Sequence, residues 1–290
     1  LCREHTPNGT QGERAFKARG VVFSAGVLGT LPLLLKLRQN GSLPNLSARL
    51  GDQTRTNSES LIGIRCDDAQ EDLSDSIAIG SGFMLDEETQ VEAVRYPKGS
   101  DVMGLTATLM THSTPGWRRI SAWFMEILKN PIEFLKTLKI VGWAEKSIIL
   151  LVMQTCDSSF QMRLKRSWWC PWKKSLKSVG KRVPPFIEPA NRFAEKMAQR
   201  FQGKPLTALT EIFFNVPTTA HILGGAIIGK SSSEGVIDSL NRVFHYKNMY
   251  VCDGSMIGAN LGVNPSLPIT ALTERAMSHV PSKSENPDFS

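Results

Sequence analysis

The stretch Ala15-Phe16-Lys17-Ala18-Arg19-Gly20-Val21-Val22-Phe23-Ser24-Ala25-Gly26 decides the fold class. Residues 15–23 read as a short buried strand, Ser24-Ala25-Gly26 as the small-residue turn after it, and residues 27–38 as a helix. Strand, tight turn and helix in succession make the unit of a doubly wound sheet, in which the turn lies beside a ligand at the strand's carboxyl end. The first part of the chain shows one such unit. The last block, from residue 218 on, returns to strand, turn and helix.

Between these pieces the pattern changes. Short alternating segments at 61–65, 76–81 and 90–96, broken by Asp, Gly and Ser clusters, predict antiparallel strands. Residues 117–143 have helical spacing interrupted by Pro131, which predicts two amphipathic helices meeting at Asn130-Pro131. A strand near 147–154 follows, and 189–201 predicts a further helix with Phe193, Met197 and Phe201 on its apolar face. The expected plan is α/β with an α+β insert: sheet-domain pieces at 1–43 and 218–290 flanking an antiparallel domain at 44–217.

A chain of 290 residues with 41% apolar side chains can bury a real core, so a disordered tail is excluded. The net charge of +7 is modest and does not by itself imply nucleic acid. Cys2, Cys66, Cys156, Cys170 and Cys252 are scattered, odd in number and without a CxxC pair, which argues for reduced thiols in a cytosolic setting and against a disulfide framework or a metal site. No uncharged apolar run reaches about 18 residues, so a soluble or peripheral chain is expected. The opening Leu1-Cys2-Arg3-Glu4 reads as the middle of a longer sequence.

Residues 163–182 hold eight Lys or Arg and no acid around Trp168, Trp169, Cys170, Pro171 and Trp172. A solvated loop with partly packed tryptophans is the plain account. Peripheral membrane contact comes second, because Trp favours the bilayer interface and cations favour anionic lipid. Nucleic acid is a distant third, since no recognition motif accompanies the charge.

The candidate chemistry lies in the last block. His221 precedes Gly224-Gly225, where backbone can approach a flat cofactor; histidine suits proton transfer near neutral pH but is also a common structural residue. Asp253-Gly254 ends the strand-like Met249-Tyr250-Val251, placed to hold a sugar hydroxyl and offer N–H groups to phosphate, or to form a plain turn. Asn264-Pro265 leads into a helix over 267–277 whose N-terminus favours an anion such as a reduced flavin; the plain alternative makes Asn264 its cap.

Taken together, these pieces resemble the glucose–methanol–choline (GMC) family of FAD oxidoreductases, and within it the cholesterol oxidase branch. The likeness rests on His221-Ile222-Leu223-Gly224-Gly225, Gly235-Val236-Ile237-Asp238, Arg242-Val243-Phe244, Tyr250-Val251-Cys252-Asp253-Gly254-Ser255 and Gly262-Val263-Asn264-Pro265-Ser266. At the other end Val22-Phe23-Ser24-Ala25-Gly26-Val27-Leu28-Gly29-Thr30 resembles the family's second signature. The resemblance implies the C-terminal part of an FAD-binding Rossmann-like domain with an inserted substrate domain. It implies oxidation of a sterol 3-hydroxyl, with hydride passing to flavin and oxygen as acceptor.

On the matching positions, His221 would orient the hydroxyl or accept its proton, and Asn264 would bond to substrate or flavin. Ser24, Ala25, Gly26, Asp253, Gly254 and Pro265 would line FAD, while Gly224 and Gly225 would give the ring system room. Members of this branch can also isomerise the steroid double bond with a carboxylate, for which Asp101 in Pro97-Lys98-Gly99-Ser100-Asp101 is the candidate. No GxGxxG follows a strand, so the chain is expected to lack the segment that binds the ADP portion and to be colourless by itself. Two other functions stay open: a non-catalytic sterol- or lipid-binding relic, and an oxidoreductase acting on another alcohol.

Overall fold

Val21, Val22 and Phe23 are β-branched or aromatic and extend into a strand that pairs in parallel with Met249–Val251, Val21 opposite Met249 and Phe23 opposite Val251. The chain then turns through Gly26, at φ +68°, into a helix. The expected strand, turn and helix are therefore present, but the strand is shortened to three residues and only Phe23 of it is buried, Val21 and Val22 being exposed. A computed structural model describes residues 2–5, 11–14, 16–67, 69, 71–112, 116–156, 158–167, 170–180 and 184–281. Trp168, Trp169, Lys181 and Arg182 of the basic segment lie outside the described residues.

In chain order the strands are β1 (Cys2–His5), β2 (Gln11–Arg14), β3 (Val21–Phe23), β4 (Thr54–Thr56), β5 (Ser60–Arg65), β6 (Ile79–Met84) and β7 (Thr89–Val94). They continue as β8 (Ala107–Leu109), β9 (Ser147–Gln154), β10 (Ser159–Ser167), β11 (Cys170–Gly180), β12 (Lys204–Ala208), β13 (Ile222–Leu223) and β14 (Met249–Val251). The helices are α1 (Val27–Gln39), α2 (Trp117–Lys129), α3 (Pro131–Leu138), α4 (Glu188–Arg200), α5 (Leu209–Phe214) and α6 (Ser266–Ser278).

The middle of the chain forms an antiparallel sheet in the order β6-β7-β9-β5-β12-β8. A second antiparallel sheet runs β11-β10-β4-β13, and β3 and β14 make the parallel pair. The fold is mixed α/β with antiparallel sheets. Two principal cores follow from this layout. In one, Leu31, Leu34 and Leu35 of α1 pack with Phe23, Val251, Ile237 and Met256, and draw in Leu50, Met162 and Leu164. In the other, Ile62, Ile64, Val91, Leu150 and Val152 of the large sheet pack against α4.

Three expectations change in detail. Helix α4 seats on Ala190, Ala194 and Ala198, while Phe201 is exposed. Small side chains let the helix approach the sheet closely, so its alanines define the buried face, with the expected Phe193 and Met197 partly buried against the same core. The described part of the basic segment forms the antiparallel pair β10–β11, with Met162 and Leu164 buried on one face, Arg163, Lys165 and Lys177 on the other, and Arg166 paired with Lys174 at the exposed end of the first face, so a period of two was hidden by charge density. Arg242-Val243-Phe244 makes isolated bridges, Arg242 to Tyr250 and Val243 to Ile237, in place of a strand.

Candidate active site

The carboxyl ends of β3 and β14 bring the two expected turns together. Cys252 N donates to Phe23 O at 2.9 Å and Ser24 Oγ donates to Cys252 O at 2.9 Å. Asp253, nearly fully buried, accepts from Thr30 Oγ1 on one oxygen and from Ser255 N (2.8 Å) and Ser255 Oγ (2.5 Å) on the other. A carboxylate has about four acceptor sites, so one remains after these three bonds. Asp253 thereby clamps α1 to the 3-10 turn Gly254–Met256. No side chain caps the N-terminus of α1, and a Cβ placed on Gly26 would meet nothing within 4 Å. This is an open turn beside a helix N-terminus, which favours negative charge.

The paired glycines pack closely against the chain. Gly224 and Gly225 take φ of +77° and +92°, and a Cβ on them would stand 2.2 Å from Gln53 O and 2.4 Å from Leu31 Cδ1. The clearance they create is filled by the chain itself. Gly224 N also donates to Gly254 O at 2.9 Å, so the pair docks β13 onto the Asp253 turn.

His221 sits at the edge of β13, where it is paired with a buried acid that sequence reasoning missed. Its Nδ1 stands 2.8 Å from Oε1 of Glu59, which is fully buried. Among the described residues neither atom has another hydrogen-bond partner, and the other Glu59 oxygen accepts from Ala220 N at 2.7 Å. Glu59 belongs to the run Thr54-Arg55-Thr56-Asn57-Ser58-Glu59-Ser60, every residue of which is buried. Asn57 Nδ2 donates to Val263 O at 2.7 Å, and Ser60 Oγ donates to Glu211 at 3.1 Å. One polar strand edge thus holds His221, the loop before Asn264 and Glu211. The only signal in the sequence was an unbroken polar run between two strands.

Asn264 does not cap α6. Its Nδ2 reaches both oxygens of Glu92 on β7, at 3.0 and 2.8 Å, and Pro265 occupies the cap position without a side-chain bond. Both described side-chain hydrogen bonds of Asn264 are thus made by Nδ2. The carboxylate of Asp101 accepts from Gly142 N and Ala144 N, each at 3.0 Å, and these bonds hold its pKa below the usual range. Its described hydrogen bonds are with that turn and not with His221 or Asn264. Glu211, beneath the same polar run, is pushed up to about 7 by burial, against the opposing hydrogen bonds of Thr207 and Ser60 and the charge of Arg119.

A cavity of about 320 Å³ opens beside these groups, lined by Thr56, Phe160, Val216, Thr219 and Ile222 among others. Thr219 and Ile222 bracket His221. The wall is mixed, with apolar faces and hydroxyls.

Comparison with known proteins agrees with the architecture. The C-terminal family model described as GMC oxidoreductase matches residues 176–273. The chain is 52% identical to "Cholesterol oxidase" of Acinetobacter baumannii, over 93% of this chain and 49% of that protein. It is 41% identical to "Cholesterol oxidase" of Mycobacterium tuberculosis, over 94% of this chain and 48% of that protein. The chain therefore spans about half the length of these curated relatives. Among solved structures, a formate oxidase of Aspergillus oryzae superposes with a TM-score of 0.56 at 14% identity, covering 99% of this chain and 58% of that one, which supports the fold. The chain belongs to the GMC oxidoreductase family.

Proposed function

We propose that the chain carries the alcohol-facing part of an FAD-dependent oxidoreductase acting on a sterol 3-hydroxyl. The observation that carries this reading is His221, held by buried Glu59 beside a half-open, mixed-polarity cavity. The relatives' printed names support the substrate class. With Nδ1 turned to Glu59, the ring's Nε2 is left to accept the hydroxyl proton, and the carboxylate stabilises the imidazolium that forms. Asn264, braced by Glu92, orients the hydroxyl through its amide oxygen.

The residues at the ends of β3 and β14 fit FAD, since the Gly26 turn is open, α1 is uncapped and Asp253 keeps one acceptor site. Ser24, Ala25, Gly26, Asp253 and Gly254 would hold its ribityl–diphosphate part, and Asn264 and Pro265 its ring. FAD when bound supplies the hydride acceptor, with oxygen as the terminal oxidant. Gly224 and Gly225 serve by docking the His221 strand onto that turn. We assign 1–43 and 218–290 to the flavin side and 44–217 to the substrate side; peripheral membrane contact is part of the same reading, with Trp172 exposed on the β10–β11 hairpin.

Product analysis with cholesterol against long-chain and aromatic alcohols tests the reading. Formation of the 3-ketosteroid with hydrogen peroxide is the expected result; oxidation of other alcohols but no sterol would move the substrate class, and sterol binding without turnover would favour the relic. His221→Ala should slow oxidation by roughly 10²–10⁴-fold. The same sterol product assay on Asp101→Asn would show whether that residue takes part in isomerisation.

A further inference from the structure

Between β4 and β5 the chain leaves the regular strand path. Ser58 takes φ +49°, in the left-handed region that a residue with a side chain seldom adopts. The turn is held on both sides: Ser58 N donates to Thr56 Oγ1 at 3.1 Å, and Ser58 Oγ donates to Cys156 O at 3.2 Å. Backbone strain persists only where its surroundings over-determine it, and here the strained residue separates two side chains that serve different loops.

Those side chains are Asn57 and Glu59, both fully buried. Glu59 takes His221 Nδ1 and Ala220 N. Asn57 Nδ2 donates to Val263 O at 2.7 Å, the carbonyl of the peptide that leads into Asn264. A peptide unit is planar, so fixing that carbonyl fixes where Asn264 begins. The rest of the loop is tied to the end of β9 and the residues after it. Asn260 Nδ2 donates to Gln154 O at 2.8 Å and to Cys156 O at 2.7 Å, and Gly262 N donates to Asn260 Oδ1 at 2.9 Å. Gln154 N in turn donates to Asn57 O at 2.9 Å, which returns the support to the same turn.

Asn57 makes its bond to Val263 with one polar atom left over. Its Oδ1 is buried and has no hydrogen-bond partner among the described residues. An apolar side chain of similar size would fill the space without an unpaired acceptor, so packing alone gives no reason for an amide here. What the amide adds is the hold on Val263 O.

We infer that Asn57 is a positioning residue for the oxidation: acting through Val263, it sets Asn264 against His221, which Glu59 sets from the same turn. The turn Asn57-Ser58-Glu59 thereby registers two groups from separate loops around one alcohol oxygen. This rests on the reading of His221 and Asn264 as the alcohol-facing pair.

The test is the kinetics of the intact, flavin-loaded enzyme with cholesterol for Asn57→Leu, Asn264→Ala and the double variant, with flavin content and near-ultraviolet circular dichroism as checks of folding. Asn57→Leu should lower kcat roughly 10–10²-fold while KM changes less than about threefold, because a small misplacement of a reacting group acts on the chemical step. In the double variant it should cost no more than about twofold beyond Asn264→Ala, since a residue acting through Asn264 then has nothing left to position. The same pattern is expected without turnover in titrations with the 3-ketosteroid product read by flavin absorbance: Asn57→Leu weakens binding roughly threefold or more when Asn264 is present and not when it is absent. Asn57→Ala, which adds no bulk, repeats the comparison where the leucine variant fails to fold. Losses that multiply in the double variant, or full kcat in Asn57→Leu beside a slow Asn264→Ala, overturn the inference alone. Failure of both Asn57 variants to fold assigns the residue to stability and also overturns it. No oxidation of cholesterol by the unaltered enzyme, or full turnover by Asn264→Ala, removes the reading of the site, and the inference falls with it.

Discussion

Alanine at Gly224 and at Gly26 should have very different consequences, although both glycines have positive φ and both stand in turns resembling flavin contacts. At Gly26, φ +68°, the new methyl meets open space, so the cost is the left-handed backbone alone, about 1–2 kcal/mol. At Gly224, φ +77°, the same strain is joined by a clash 2.2 Å from the carbonyl oxygen of Gln53, which is backbone and cannot rotate away. Overpacking of this kind adds about 1–3 kcal/mol, giving roughly 2–5 kcal/mol in all. With a urea slope of about 2–3 kcal/mol/M, the two variants should differ by on the order of 1 M in unfolding midpoint, Gly224→Ala being the weaker. Urea titration followed by tryptophan fluorescence reads this directly. Flavin titration should show the reverse order of specific damage, Gly26→Ala losing affinity while still folded. Equal midpoints, or a lower midpoint for Gly26→Ala, would refute the assignment of Gly224 to chain packing and Gly26 to an open ligand turn.

Removing the Glu59 side chain by Glu59→Ala leaves the Ala220 N–H and the buried His221 Nδ1 without this partner, so urea unfolding should show a loss of about 1–3 kcal/mol, whereas Glu59→Gln, which keeps the shape, should cost less. Nitrogen-15 NMR should place the proton of the neutral His221 ring on Nδ1; a proton on Nε2 would contradict its proposed role as base. Burial pushes the Glu211 carboxyl up to about 7, against an ordinary 4.5. Its folded form therefore holds a proton that the unfolded chain has released, so its burial costs nothing below pH ~4.5 and progressively more as pH rises to ~7, reaching about 3 kcal/mol. Melting temperatures of Glu211→Gln across that window should fall less steeply with pH than those of the unaltered protein, and parallel curves would reject the burial argument.

Local chemistry made part of this protein legible in advance. Val21-Val22-Phe23 before a small-residue turn, the Pro131 break between two helices and the apolar run at 147–154 each follow from backbone preference or side-chain period, which depend on near neighbours in sequence. The same holds for the cluster from His221 to Pro265, whose spacing resembles a known family. What the sequence could not decide is which distant groups meet. Glu59 precedes His221 by 162 positions and Glu92 precedes Asn264 by 172, and in both cases the partner is chosen by the antiparallel sheets that bring residues 54–60 and β7 beneath the C-terminal loops. The orientation of α2 has the same origin. Its sequence shows two faces, apolar and polar, but only the burial of Arg119 against Glu211 O tells which one turns inward. Periodicity defines a face; tertiary packing determines what that face meets, because the energy of burying a charge or a carboxylate depends on partners that local sequence does not contain.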